Sequence, residues 1–289
     1  MKIYIWGHKL HEHTHSYIHS SYYKAFKYLD YEVYWIDYRD NLSQYDFSNS
    51  VFFTENYVKD GIPLRKDCKY ITHHIDTNYF TSSGVPYENV LKLGNYLPRF
   101  EIHEKIDNLA FWDNSSRTLY QTWGTDLLPH EIDENNPVKF NKYNKKLNYI
   151  GMLYEQGPWW AQNFANILYE KNRVEFDVFT QNASDEENKN LIQSSFLCPD
   201  FRSDWHLQCG YIPCRIFKNI SYGRVTGTNS PFIKSIFGDY VAFGGTPNTL
   251  YENLLRADVN EEIDVRSAML FVKENHTFIN RVNNILKFL

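Results

Sequence analysis

The chain has 289 residues, 43% of them hydrophobic, enough for one large domain or two of ordinary size. A formal net charge of -5, with Lys and Arg scattered, excludes a basic nucleic-acid face and a polybasic membrane patch. No apolar run is long enough to span a bilayer, and Cys68, Cys198, Cys209 and Cys214 lack the paired spacing of a zinc site, so a reduced, cytoplasmic setting is expected.

Alternation over 2–6 predicts a strand that runs into Gly7 and a polar loop, which argues against a signal peptide. Ile18, Tyr22, Ala25, Phe26 and Leu29 recur at helical spacing, so 15–29 is expected to be helical. Residues 32–36 form the next strand, completing a β-α-β unit. Further strands are predicted at 50–53, 68–72, 90–93 and 118–121, in the order of an open parallel sheet. The stretch 131–146 is charged, Asn-rich and weakly periodic and reads as a linker after a first domain of 1–130. A second domain, 147–262, restarts with a strand at 147–150 and the glycine turn at Gly151. It continues with a helix at 160–170, strands at 174–179 and 195–198, a helix at 213–222, a strand at 240–243 and a helix at 247–255. Residues 263–289 read as terminal helices with a break near Asn275-His276. The fold class is therefore α/β, two Rossmann-like domains facing across a cleft at the C-terminal ends of their strands.

The segment 212–231 carries the first chemical signal. Pro213 suits a helix start and Gly223 a helix stop. Ile216, Phe217 and Ile220 share one face of that helix; Arg215, Lys218, Asn219 and Tyr222 share the other. A polar loop is expected to follow, with Ser230 as N-cap of the next helix and Pro231 as its first residue. Free amides at that helix start, beside two cations, would suit a diphosphate without a metal. A plain helix-loop-helix gives the same spacing.

The second signal is the histidine loop. His8, His11, His13, His15 and His19 fall within the first nineteen residues, after the first strand, where α/β domains meet ligands. A reaction that activates a hydroxyl needs a base to take its proton, and histidine titrates near neutral pH. His15 is the expected base, with His13 and His11 as close rivals, and Glu12 or Asp76 as the carboxylate that fixes its tautomer. His8 and His19 also read as incidental members of a solvated loop. Metal ligation by the same loop, with His73, His74, Asp76 and His130 recruited, is the competing pattern of a metal-dependent hydrolase.

The opening Gly7-His8-Lys9-Leu10-His11-Glu12-His13-Thr14-His15, the stretch Trp123-Gly124-Thr125-Asp126-Leu127-Leu128-Pro129 and the segment from Tyr211 to Gly223 together resemble a group of GT-B glycosyltransferases. That group occurs in large DNA viruses and in bacteria that build surface glycans. The resemblance runs through both halves. It implies an N-terminal acceptor domain, a C-terminal nucleotide-sugar domain, and residues 263–289 packing back on the former. It implies diphosphate contacts from Arg215 and Lys218, an amide cradle from Thr228, Asn229 and Ser230, approach of Gly151 and Met152 to the sugar or phosphates, and Phe201 and Arg202 near the base or ribose. Where many retaining relatives carry a glutamate, this chain has Lys218, which favours inversion.

The expected function is therefore transfer of a sugar from a nucleotide diphosphate donor, a UDP-sugar being favoured, to a hydroxyl of a glycan or glycoconjugate. No cofactor, metal or nucleic acid is expected, and the setting would be the host cytoplasm for a viral chain. A metal-dependent hydrolase and a non-catalytic glycan- or nucleotide-binding protein are the alternatives.

Overall fold

The structure is a computed structural model and describes residues 1–9, 14–96, 104–107, 109–153, 155–179 and 183–289. It divides into two compact units, 1–128 with 278–289, and 129–277.

In the first unit, β1 (Lys2–Trp6) is followed by α1 (Thr14–Tyr28) and β2 (Glu32–Ile36). Next come β3 (Val51–Glu55), β4 (Lys69–His73), α2 (Thr77–Thr81) and β5 (Val90–Gly94). β6 (Glu104–Asp107), β7 (Ala110–Asp113) and β8 (Thr118–Gln121) complete its sheet, whose order is β2-β1-β3-β4-β5-β8-β7-β6. The pairs from β2 to β5, and β5 with β8, are parallel; β8-β7 and β7-β6 are antiparallel. β3 is buried along its whole length, as a central parallel strand covered on both faces must be.

The register sets Tyr34 beside Tyr4, Tyr4 beside Phe52 and Phe52 beside Tyr70. Tyr4 stacks on Phe52 at 5.3 Å and Phe52 on Tyr70 at 5.5 Å, so many of the abundant aromatic rings form a ladder under the sheet. The Tyr70 hydroxyl satisfies itself by donating to the Pro63 carbonyl at 2.7 Å.

The second unit begins with β9 (Lys146–Ile150), α3 (Gly157–Asn172), β10 (Glu175–Phe179), α4 (Asp185–Gln193) and β11 (Cys198–Asp200). α5 (Asp204–Gln208), α6 (Cys214–Ser221), β12 (Thr226–Thr228), α7 (Pro231–Phe237) and β13 (Ala242–Phe243) follow, and then α8 (Pro247–Val259) and α9 (Val265–Asn275). β10 pairs with β9, and β11-β12-β13 form a parallel set. The segment entering β11 joins β9, because Phe196 N donates to Lys146 O at 2.8 Å and Asn148 N to Ser195 Oγ at 2.9 Å.

Two expectations are corrected here. The polar loop expected before Ser230 is largely β12, a buried strand between β11 and β13. Threonine favours strands, and the Thr226 hydroxyl is satisfied by the Cys198 carbonyl at 2.8 Å. The terminal segment also divides within itself. α9 belongs to the second unit, where it packs on α6, and α10 (Phe278–Leu286) belongs to the first, where it packs on α1. Arg281 of α10 is fully buried and donates from Nε to the Thr122 carbonyl at 2.8 Å.

Candidate functional site

In the first unit the strand order 2-1-3 reverses at β1 and β3. Open α/β sheets bind ligands at such a reversal, beyond the C-terminal strand ends. Trp6 ends β1 and leads to Gly7 and His8; Glu55 ends β3; His73 ends β4. His15 lies in the first turn of α1. His8 Nε2 and Glu55 Oε1 are hydrogen-bonded to each other. One ligand-type atom from each of His8, His15 and Glu55 lies within 4.8 Å of the others. The His8 and His15 rings are 5.7 Å apart, and the His15 and His73 rings 5.5 Å. His19 is buried and hydrogen-bonds the Gly7 carbonyl at 3.1 Å through Nδ1, so it braces the turn after β1.

Glu55 is 1% exposed. Burial opposes its ionisation, but the His8 hydrogen bond, the Tyr57 backbone amide and the charges of His15 and His8 outweigh burial and hold its carboxyl below the usual range. His73 stacks on Trp123 at 5.0 Å with both ring nitrogens buried and unbonded. Burial, reinforced by His74, His15 and His19, pushes its pKa well below 6.5, so it stays neutral.

As pH falls below 6.5, the unfolded chain takes up a proton that folded His73 refuses. Stability should therefore drop on acidification, by up to about 1.4 kcal/mol per pH unit from this residue. His74, lowered by burial, adds to the same trend. Urea unfolding at about pH 7.5 and about pH 5 measures the slope, and His73→Phe should flatten it.

The sequence-derived assignments fare unevenly in this unit. His15 lies in the cluster; His11 and His13 lie outside the described residues. Asp76 does not partner the histidines. It is exposed and caps α2 by accepting from Asn78 N at 2.8 Å, because its position before a helix start gives it a local use. The carboxylate in the cluster is Glu55, and His8, read as incidental in one alternative, is its direct partner. The signal that finds Glu55 is an acid at the C-terminal end of the apolar run Val51-Phe52-Phe53.

In the second unit the equivalent reversal lies between β9 and the segment entering β11. Arg215, on α6, fills it. Nε donates to Ile150 O at 2.8 Å, and Nη1 donates to the Tyr149 hydroxyl at 2.6 Å and to Asp200 Oδ1 at 2.7 Å. The guanidinium lies 3.9 Å over the Tyr149 ring. Arg202 Nη2 donates to the same Asp200 oxygen at 2.6 Å. Two guanidinium groups thus share one carboxylate, which leaves a local excess of one positive charge. Arg215 Nη2, against Gly151, makes no hydrogen bond among the described residues.

Gly151 has φ +125°, and a Cβ there would fall 2.2 Å from Arg215 Nη2. Gly151→Ala should therefore displace the guanidinium and strain the backbone by about 1–3 kcal/mol. The measurable result is a lowered unfolding temperature.

Several assignments are corrected here. The expected helix face with two cations turned outward does not form. Lys218 is buried and engaged, and Asn219 bonds the Cys198 carbonyl at 3.3 Å. Arg215 is itself half-buried against Asp200 and keeps only Nη2. Phe201 is a core residue, stacked on Tyr149 at 5.3 Å and on Trp160 at 5.9 Å. The cradle of Thr228, Asn229 and Ser230 is consumed internally. Ser230 N donates to Thr228 Oγ1, Ile233 N to Ser230 Oγ, and the Asn229 side chain clamps the Arg202 backbone. Arg202 is buried with Nε unbonded, and Met152 is exposed in the turn after Gly151.

No family model matches the chain, and no curated protein matches it in sequence. Solved structures do match. A UDP-forming α,α-trehalose-phosphate synthase from Burkholderia xenovorans, in complex with glucose-6-phosphate, aligns over 92% of this chain and 78% of its own. Its identity is 10% and its TM-score 0.50. An α1,3-fucosyltransferase with GDP aligns over 100% of this chain and 88% of its own, at 12% identity and TM-score 0.49. At such low identity the likeness shows architecture alone, and the chain has the mixed α/β fold of GT-B glycosyltransferases.

Proposed function

We propose that the protein is a glycosyltransferase that moves a sugar from a nucleotide diphosphate donor, a UDP-sugar being favoured, to a hydroxyl of a glycan or glycoconjugate. The observation that carries this reading is Arg215, fixed by three hydrogen bonds at the strand-order reversal of the second unit with one guanidinium edge still available. That unit binds the donor diphosphate, and Gly151 lets the phosphates approach. The first unit binds the acceptor, and the His8–His15 pair over Glu55 takes its proton.

The mechanism proceeds by inversion. The acceptor oxygen attacks the anomeric carbon as its proton passes to imidazole. The bond from that carbon to the diphosphate oxygen breaks, and Arg215 stabilises the charge that develops there. The transfer step uses no metal ion. Calorimetry with UDP and GDP tests the donor site, and a screen of nucleotide sugars against glycan acceptors tests turnover. Binding of neither nucleotide would remove the reading. Binding of one with no product in any pairing would leave a nucleotide-binding protein.

A further inference from the structure

We propose that His8, His15 and Glu55 form a binding site for a transition metal ion of the zinc class, and that this ion competes with the acceptor proton. The donor set is two imidazoles and one carboxylate, with ligand atoms within 4.8 Å of one another. Zinc bound at about 2.0–2.2 Å holds such ligand atoms roughly 3.5 Å apart, so small side-chain rotations suffice. Imidazole and carboxylate together favour zinc over magnesium or calcium.

Buried polar groups without partners also point to a ligand at this place. Glu55 Oε2 is buried and has no hydrogen-bond partner, although its other oxygen binds His8. A buried carboxylate oxygen of that kind needs a donor or a cation. His73, 2% exposed, has two unbonded ring nitrogens and lies 5.5 Å from the His15 ring, so it offers a neutral imidazole beside the set. The ligands stand at the ends of two adjacent strands and in the first turn of a helix, all well-fixed positions. Three protein ligands leave a fourth position for water or a substrate hydroxyl.

Zinc binding itself does not depend on the transferase reading; only the consequence for turnover rests on it. A metal on the imidazoles removes the proton acceptor, so zinc is expected to inhibit transfer and a chelator to restore it.

The test uses the full chain, dialysed against chelator and titrated with zinc chloride in a calorimeter. One ion per chain is expected, with a Kd of about 1 μM or tighter. Glu55→Gln and His8→Asn should each weaken it by about 100-fold or more. Cobalt(II) gives a second readout: visible bands of a four- or five-coordinate ion should appear in the parent chain and vanish in both variants. Circular dichroism checks that the variants fold, and if His8→Asn does not, Glu55→Gln decides alone. Stoichiometric binding that survives Glu55→Gln and is lost in His11→Asn or His13→Asn would overturn the proposal. So would the absence of binding at about 100 μM zinc. Failure of nucleotide binding with intact zinc binding would instead remove only the transferase reading.

Discussion

Arg215→Ala is expected to weaken UDP or GDP binding by about 10- to 100-fold and to cut transfer by about 100- to 1000-fold. The two figures differ because the leaving diphosphate gains charge as the glycosidic bond breaks, so the guanidinium does more for the transition state than for the bound donor. The substitution leaves Asp200 paired with Arg202, so no buried carboxylate is stranded. Its structural cost is the loss of the bonds to Ile150 and Tyr149 and of the stacking on the Tyr149 ring. Arg215→Lys keeps the charge but not the fork. A lysine cannot donate to Ile150 and Asp200 and still present an edge to phosphate, so most of the loss should remain. Calorimetry with each nucleotide, beside unfolding curves for each variant, separates the effects. Unchanged affinity in a folded Arg215→Ala protein would move the diphosphate away from this reversal point.

Local pattern and long-range geometry differ sharply in how visible they are in the chain. The β-α-β opening, the strand ends near 55, 73 and 150, and the helix start at Pro231 follow from period and capping, which are local. The strands β6 and β7 have little such signal, since Ala110–Asp113 lacks β-branched residues and its partners are set by the sheet. Thr226–Thr228 reads as loop by polarity and is a buried strand, because its neighbours satisfy its hydroxyls. Residue partnership was least visible. Asp76 and Glu55 are both acids near strand ends, and only the sheet order brings Glu55 to the histidines. Likewise the polar face of α6 looks solvent-ready in a helical projection. In the folded unit Lys218 is buried, and Arg215 is the one of the two cations that bonds at the reversal point.

That contrast between the two acids gives the second large effect. Glu55→Gln should lower the rate of transfer by about 100- to 10,000-fold, whereas Asp76→Asn should leave it unchanged. Glutamine keeps the shape of Glu55 and a hydrogen bond to His8 but supplies no charge to favour an imidazolium. The proton taken from the acceptor would then rest on an imidazole with no counter-ion in a site where the carboxylate is 1% exposed. Asp76 is exposed and acts as an N-cap, a position where asparagine serves as well. Nucleotide affinity should be the same in both variants, since Arg215, the proposed diphosphate contact, belongs to the other unit. The discriminating measurement is therefore single-turnover transfer at saturating donor. A slowed chemical step with intact donor binding assigns Glu55 to the base, while a parallel loss of donor binding would show that it supports the fold instead. The ionised state of Glu55 is maintained against burial by His8, so protonation of this carboxyl should not produce an acid limb in the rate profile within the neutral range. An acid limb that survives in Glu55→Gln would belong to an imidazole, and one that disappears would mean that the carboxylate is titrating after all.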